Sequence, residues 1–158
     1  MKLHRLERVQ TLPISPATAW EFFSDPRNLT RITPPDLGFA ITSPVPERTY
    51  PGLVITYTVT PYFGIPVRWV TEITHAREPD FFVDEQRFGP YRFWHHQHLF
   101  REVDGGVEMR DIVHYILPYG CAGSLAAPLV ARRLADIFDF RRETLAARFG
   151  KAHSNSPS

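Results

Sequence analysis

Disulfide bonds are excluded at the outset: the chain holds one cysteine, Cys121, so no intrachain bridge and no cluster of thiolate metal ligands can form. A charge of one sign is also missing. The 18 basic and 17 acidic residues leave a formal net charge of +1, which gives no footprint for nucleic acid or an anionic membrane surface. The arginine doublets Arg132-Arg133 and Arg141-Arg142 are interleaved with Asp136, Asp139 and Glu143, a mixture that reads as a solvated helix face. No apolar run approaches transmembrane length, and Lys2, His4, Arg5, Glu7 and Arg8 interrupt any signal-like stretch at the start. Nucleophile motifs, phosphate loops and dinucleotide fingerprints are absent, so no cofactor is expected. A soluble, reduced, cytoplasmic protein without integral membrane association is the expectation.

What the chain does have is proline and aromatic residues: 15 Pro, 12 Phe, 6 Tyr and 3 Trp among 158 residues. Prolines at this density set many defined turns, and aromatics at this density fill a large core or line a pocket. Residues 2–12 alternate and read as a first strand, stopped by Pro13. Ser15-Pro16 is a cap followed by proline at the first helical position, which predicts a short helix over residues 17–24 with Trp20 and Phe23 on one face. Asp25-Pro26 caps a second short helix, ended by Pro34-Pro35. Strands follow over 37–43, 53–61, 67–78, 81–88, 91–102 and 106–117, separated by Gly, Pro and Asp turns. From residue 124 to 149 the period changes. Val130, Leu134, Ile137, Phe138 and Leu145 recur at three-to-four spacing, which predicts one amphipathic helix of about seven turns. Pro128 fits its first turn, so the start falls near Ala127. Residues 1–150 read as a single domain and 151–158 as a disordered polar tail.

The fold class is therefore α+β: a curved antiparallel sheet of about seven strands, ordered β-αα-β6-α, gripping a long C-terminal helix. Successive hairpins make an antiparallel sheet, and strand twist curls it. Its concave apolar face needs a cover, and the terminal helix is the one long element to supply it. A bent sheet and a straight rod differ in curvature, so space is left between them, and such a space is a ligand pocket by default. Tyr62-Phe63 and residues 118–123 would flank its entrance, with the helix sliding or fraying to admit a guest.

Asp104-Gly105 is the strongest hairpin signal in the chain and sets a register. If Val103 pairs with Gly106, then Phe100 faces Met109, His98 faces Asp111, His96 faces Val113 and Trp94 faces Tyr115. The opposite face is mostly polar, so these eight residues line the interior. With Trp69 and Phe138 they are the expected ligand contacts. His98 and Asp111 would form a polar pair inside an apolar wall. The plain reading is a structural hydrogen bond, since buried polar groups are normally paired. The functional reading makes them, or His96, a contact for a ligand's polar head or a general acid–base pair, with His98 and Asp111 the catalytic candidates.

On a strand His96 and His98 share a face while His95 points away, and with Asp111 they could make three ligands. No helical or cysteine partner spacing supports that set, so no metal is expected. The loop at Gly89-Pro90 has ambiguous length, so either Asp84 and Gln86 or Glu85 and Arg87 share the His96 face. Carboxylates beside a histidine could do acid–base work, although a charged strand usually faces solvent.

Residues 64–74 (GIPVRWVTEIT), 82–91 (FVDEQRFGPY) and 94–100 (WHHQHLF), with Asp111 and residues 115–120 (YILPYG), resemble a bacterial subfamily of the START-like superfamily. That superfamily is also called helix-grip, SRPBCC or birch-pollen-allergen-like, and the subfamily is sometimes labelled cell-division-inhibitor-related. The resemblance spans about residues 2–149. It implies a cavity between sheet and helix for lipids, polyketide-like rings or other hydrophobes, held by a carrier or sensor. It also implies, because similar domains occur beside sugar-epimerase-like domains, an epimerase-like protein as a partner. Two other functions compete: a cyclase- or dehydratase-type enzyme using the buried His–Asp pair, and a protein-interaction domain with a filled interior and an exposed apolar patch.

Overall fold

Asp104 and Gly105 form the tip of a two-residue hairpin that joins β6 (Phe93–Val103) to β7 (Gly106–Ile116), and Val103 pairs with Gly106. The expected register follows from that pair: Phe100↔Met109, His98↔Asp111, His96↔Val113 and Trp94↔Tyr115. All eight side chains are buried, while Phe93, Arg101 and Glu102 on the same strands are exposed. The computed structural model describes residues 1–61, 64–118 and 120–151, with the backbone alone for 121–124.

β1 (His4–Leu12) closes one side of the hairpin by pairing antiparallel with β7, from His4↔Tyr115 to Leu12↔Val107. Gly106 is required here, because its φ is +148° and a Cβ would collide with the Leu12 carbonyl oxygen. On the other side come β5 (Phe81–Phe88), β4 (Val67–Arg77), β3 (Val54–Val59) and β2 (Ala40–Ile41). The order is β1-β7-β6-β5-β4-β3-β2, with every neighbouring pair antiparallel. Register shifts at Val70/Thr71 and Ile73/His75 mark irregularities between β4 and β5, which add local twist.

Helix α1 (Pro16–Phe23) starts as its sequence predicts, with Ser15 accepting a hydrogen bond from the Thr18 amide at 3.1 Å. Trp20 and Phe23 point into the core, where Phe100 meets both rings. Three expectations need correction. The second short helix is a 3-10 turn (Pro26–Ile32), confined between Pro26 and the Pro34-Pro35 pair. The strand expected over 37–43 shrinks to β2, because Pro35–Leu37 winds into another 3-10 turn ending at left-handed Gly38. The terminal helix α2 runs Gly120–Phe149, so it starts before residue 124 and holds Pro128 inside it. Proline there removes one amide donor without ending the helix. The expected polar tail falls, from residue 152 onward, outside the described residues, as does the Tyr62-Phe63 pair at the expected entrance. Among the described residues no helix is long and apolar enough to cross a membrane.

Two apolar clusters lie between sheet and helix. One gathers α1, the outer ends of β1 and β7 and Leu145 of α2, with Leu12, Val107 and Leu145 fully buried, and continues through Phe82 and Ile73 to Ile55, Tyr57 and Val59 of β3. The other places Val130, Leu134 and Phe138 of α2 on Trp94, Val113 and Tyr115.

Candidate functional site

Members of both clusters line a cavity of about 700 Å³ enclosed by the sheet, α2, the end of α1 and the 3-10 turns. Its floor is built by strand alternation. Ile55, Tyr57 and Val59 of β3 and Val67, Trp69, Thr71 and Ile73 of β4 all point inward, as period-2 spacing requires. Its roof is the face of α2 carrying Val130, Leu134, Ile137 and Phe138. Ile65, in the β3–β4 connection, and Leu129 of α2 also line it, and both are exposed, so the cavity reaches the surface between them.

Five of the ten expected contact residues line this cavity: Trp69, Trp94, His96, His98 and Phe138. The other five sit in the wall without lining it. Phe100 is enclosed by Trp20, Phe23 and Phe82, and Met109 belongs to the same cluster. Val113 and Tyr115 are covered directly by α2, and Asp111 lies behind the imidazoles. The reason is common to them. Four of these five belong to β7, where α1 and α2 pack straight onto the sheet, and among the described residues no β7 side chain reaches the cavity.

At one end the apolar lining gives way to a charged cluster. Asp84 pairs with His96 across β5 and β6, which resolves the ambiguity of the Gly89-Pro90 loop in favour of the Asp84 face. Gln86 fixes that loop: its side chain donates to the Tyr91 carbonyl at 2.6 Å and accepts from the Tyr91 amide at 3.2 Å. His98 Nε2 lies 2.8 Å from Asp84 Oδ2, and His96 Nε2 lies 3.0 Å from Asp111 Oδ1, both within hydrogen-bond distance. The second nitrogens are close to the opposite carboxylates, with His96 Nδ1 3.3 Å from Asp84 Oδ2 and His98 Nδ1 3.0 Å from Asp111 Oδ1. The expected His98–Asp111 pair is thus one side of a four-membered ring. Arg141 adds a fifth group, donating from Nη1 to Asp111 Oδ1 at 3.2 Å.

Arg141 corrects the reading of its doublet as a solvated face: it is buried, while Arg142 stays exposed. The signal was in the spacing. Arg141 lies seven residues after Leu134, three after Phe138 and four before Leu145, on the apolar stripe itself. A charge there is tolerated because Asp111 meets it.

Burial opposes ionisation of both carboxyls, but their neighbours outweigh it. His96 and His98 hold Asp84 below the usual carboxylate range, and Arg141 with the two imidazoles holds Asp111 well below it. Burial also disfavours a charged His96, yet Asp84 and Asp111 together raise its pKa. Aromatic rings fix the imidazoles in place. Phe82 stacks on His98 at 4.1 Å, the two imidazoles lie 3.8 Å apart, and Phe138 meets His96 edge-on at 5.6 Å. Nearby, Tyr57 and Thr71 satisfy each other through their hydroxyls at 2.7 Å.

A helix gripped by an antiparallel seven-stranded sheet, with a hollow between, is the START-like, helix-grip fold, and the chain has that fold. Solved structures agree along nearly the whole chain. Ginseng major latex-like protein 151 from Panax ginseng superposes with a TM-score of 0.68 at 14% identity, covering 93% of this chain and 97% of that one. Ara h 8.0201 gives 0.64 at 17% identity, covering 92% and 99%. Protein Ms6760 from Mycobacterium smegmatis gives 0.63 at 19% identity, covering 94% and 98%. Neither a family model nor a curated protein matches the chain.

Proposed function

We propose that this protein binds a small hydrophobic molecule, lipid-like or polyketide-like, between its sheet and α2, as a carrier or sensor. The observation that carries this reading is the cavity itself. Its volume of about 700 Å³ lies within the range of about 300–1,000 Å³ common to small-molecule sites. Its walls are mostly aliphatic and aromatic, with a charged cluster at the Asp84–His96–His98 end and scattered polar side chains such as Asn28, Thr33 and Arg133 elsewhere. Burial of apolar surface at about 25 cal/mol per Å² drives entry, and the charged end orients whatever polar group the guest carries. Enclosed space of this size also speaks against the interaction-domain reading, which needs a filled interior.

The test is displacement of a cavity-seeking fluorophore such as 1-anilinonaphthalene-8-sulfonate by fatty acids and by planar polycyclic phenols. Ile137 is half-buried and lines the cavity, so Ile137→Trp fills it from the roof. The expected result is micromolar fluorophore binding to the native protein and at least a tenfold loss in Ile137→Trp at an unchanged melting temperature. Equal binding by the two proteins contradicts the reading.

The acid–base reading has one observation in its favour, since Asp84, His96 and His98 all border the cavity. It requires that His98→Ala abolish turnover of a bound compound while leaving its affinity little changed.

A further inference from the structure

We propose that Asp84, His96 and His98 form a binding site for one divalent first-row transition-metal ion, of the class of Zn²⁺ or Fe²⁺, with an open coordination position facing the cavity. The site does not depend on the hydrophobic-ligand reading, because the ion alone probes it.

The donor set is two imidazoles and one carboxylate from adjacent strands, and the three ligand atoms lie within 4.8 Å of one another. The two imidazole–carboxylate distances are close to those around a shared ion. His98 Nε2 is 2.8 Å and His96 Nδ1 is 3.3 Å from the same Asp84 oxygen, Oδ2. Donors bound at about 2.1 Å to one ion are separated by about 3.0–3.4 Å along octahedral or tetrahedral edges. The sequence reading weighs Asp111 as the third donor and expects no metal, because no helical or cysteine partner spacing supports that set. Asp111 stands on the far side of the rings and takes a different part.

That part is the second observation. A metal-bound histidine presents its other ring N–H to a carboxylate, which fixes the tautomer and the ring orientation. Here both remaining nitrogens, His96 Nε2 and His98 Nδ1, lie 3.0 Å from Asp111 Oδ1. Arg141 Nη1, at 3.2 Å from the same oxygen, holds Asp111 in place. Each imidazole then needs one proton, on the Asp111 side, and offers its lone pair on the Asp84 side.

Accessibility completes the case. Asp84, His96 and His98 line the cavity and Asp111 does not, so the protein supplies donors from one side only. Three protein ligands with an open side suit an ion that takes a further oxygen donor, water or a hydroxyl, carbonyl or carboxylate of a cavity guest. Phe82 stacked on His98 and Phe138 edge-on to His96 limit the rotation of the two imidazoles.

Tag-free protein, stripped with a chelator and dialysed, is titrated with Co²⁺ by visible absorption and with Zn²⁺ by calorimetry. The expected result is one ion per chain at low micromolar affinity or better, with Co²⁺ bands of nitrogen–oxygen coordination. Asp84→Asn is expected to weaken binding at least 100-fold, and Asp111→Asn by about 10–100-fold. Should a variant not fold, imidazole ¹⁵N spectra of the native chain decide. Zn²⁺ is expected to shift one ring nitrogen each of His96 and His98. No uptake of either ion at 100-fold excess, wild-type affinity in a folded Asp84→Asn, or shifts at His95 or His114 instead would overturn the proposal.

Discussion

At its C-terminal end α2 buries Leu145 completely and sets Phe149 edge-on against Phe22 at 5.2 Å, whereas near its N-terminal end Leu125 is 87% and Leu129 55% exposed. The same helix is core at one end and lid at the other. Around Leu145, α1 inserts Trp20, Phe22 and Phe23 between sheet and helix and fills the gap left by their different curvatures. Toward the other end Phe22, Phe23 and the 3-10 turn residues Leu29, Ile32 and Leu37 border the gap without filling it, and it persists as the cavity. The curvature mismatch is therefore general, and what decides whether it becomes core or pocket is a third element. Helix α1 and the two 3-10 turns after it are the part of the fold that makes this choice.

The comparison can be broken most severely at the cluster dividing the two ends. Asp111→Ala leaves Arg141 and two imidazoles without their common acceptor, and a loss of about 3–5 kcal/mol is expected in urea unfolding. A loss under 1 kcal/mol would mean that water reaches the cluster and that it does not separate the ends. Leu145→Ala comes next, at about 2–5 kcal/mol, because a fully buried site among packed rings cannot collapse around the missing atoms. Leu134→Ala sharpens the contrast. Leu134 is nearly as buried but borders existing empty space, so less packing is lost and about 1–2 kcal/mol is expected. Equal costs for the two leucines would remove the distinction between core and lid. The smallest effect is expected from Leu129→Ala, within about 0.5 kcal/mol, since that side chain stands at the cavity mouth.

Legibility in the sequence followed the same division between local and long-range determinants. The β6–β7 hairpin could be read to the residue, because Asp104-Gly105 fixes a two-residue turn and period-2 alternation carries the register along both strands. The face holding His96, His98 and Asp111 came from that alone. Asp84 could not be placed, since the β5–β6 connection is shaped by Gln86 reaching back to Tyr91, and no turn rule predicts a side-chain clamp. Arg141 was misread because interleaved charges suggested solvent, although its helical spacing already set it among Leu134, Phe138 and Leu145. Half of the expected cavity contacts proved to be wall. Alternation tells which face of a strand turns inward, but not whether a helix rests on that face or spans a space above it.

Methyl-resolved NMR during titration with 1-anilinonaphthalene-8-sulfonate tests the central claim most directly, because it reports guest entry at each end of α2 at once. The methyls of Ile55, Ile73, Leu134 and Ile137 are expected to shift together and saturably, while those of Leu12, Val107 and Leu145 stay still. Shifts centred on Leu12, Val107 and Leu145, or none at the four cavity residues at saturating probe, would contradict a hollow roofed by the helix.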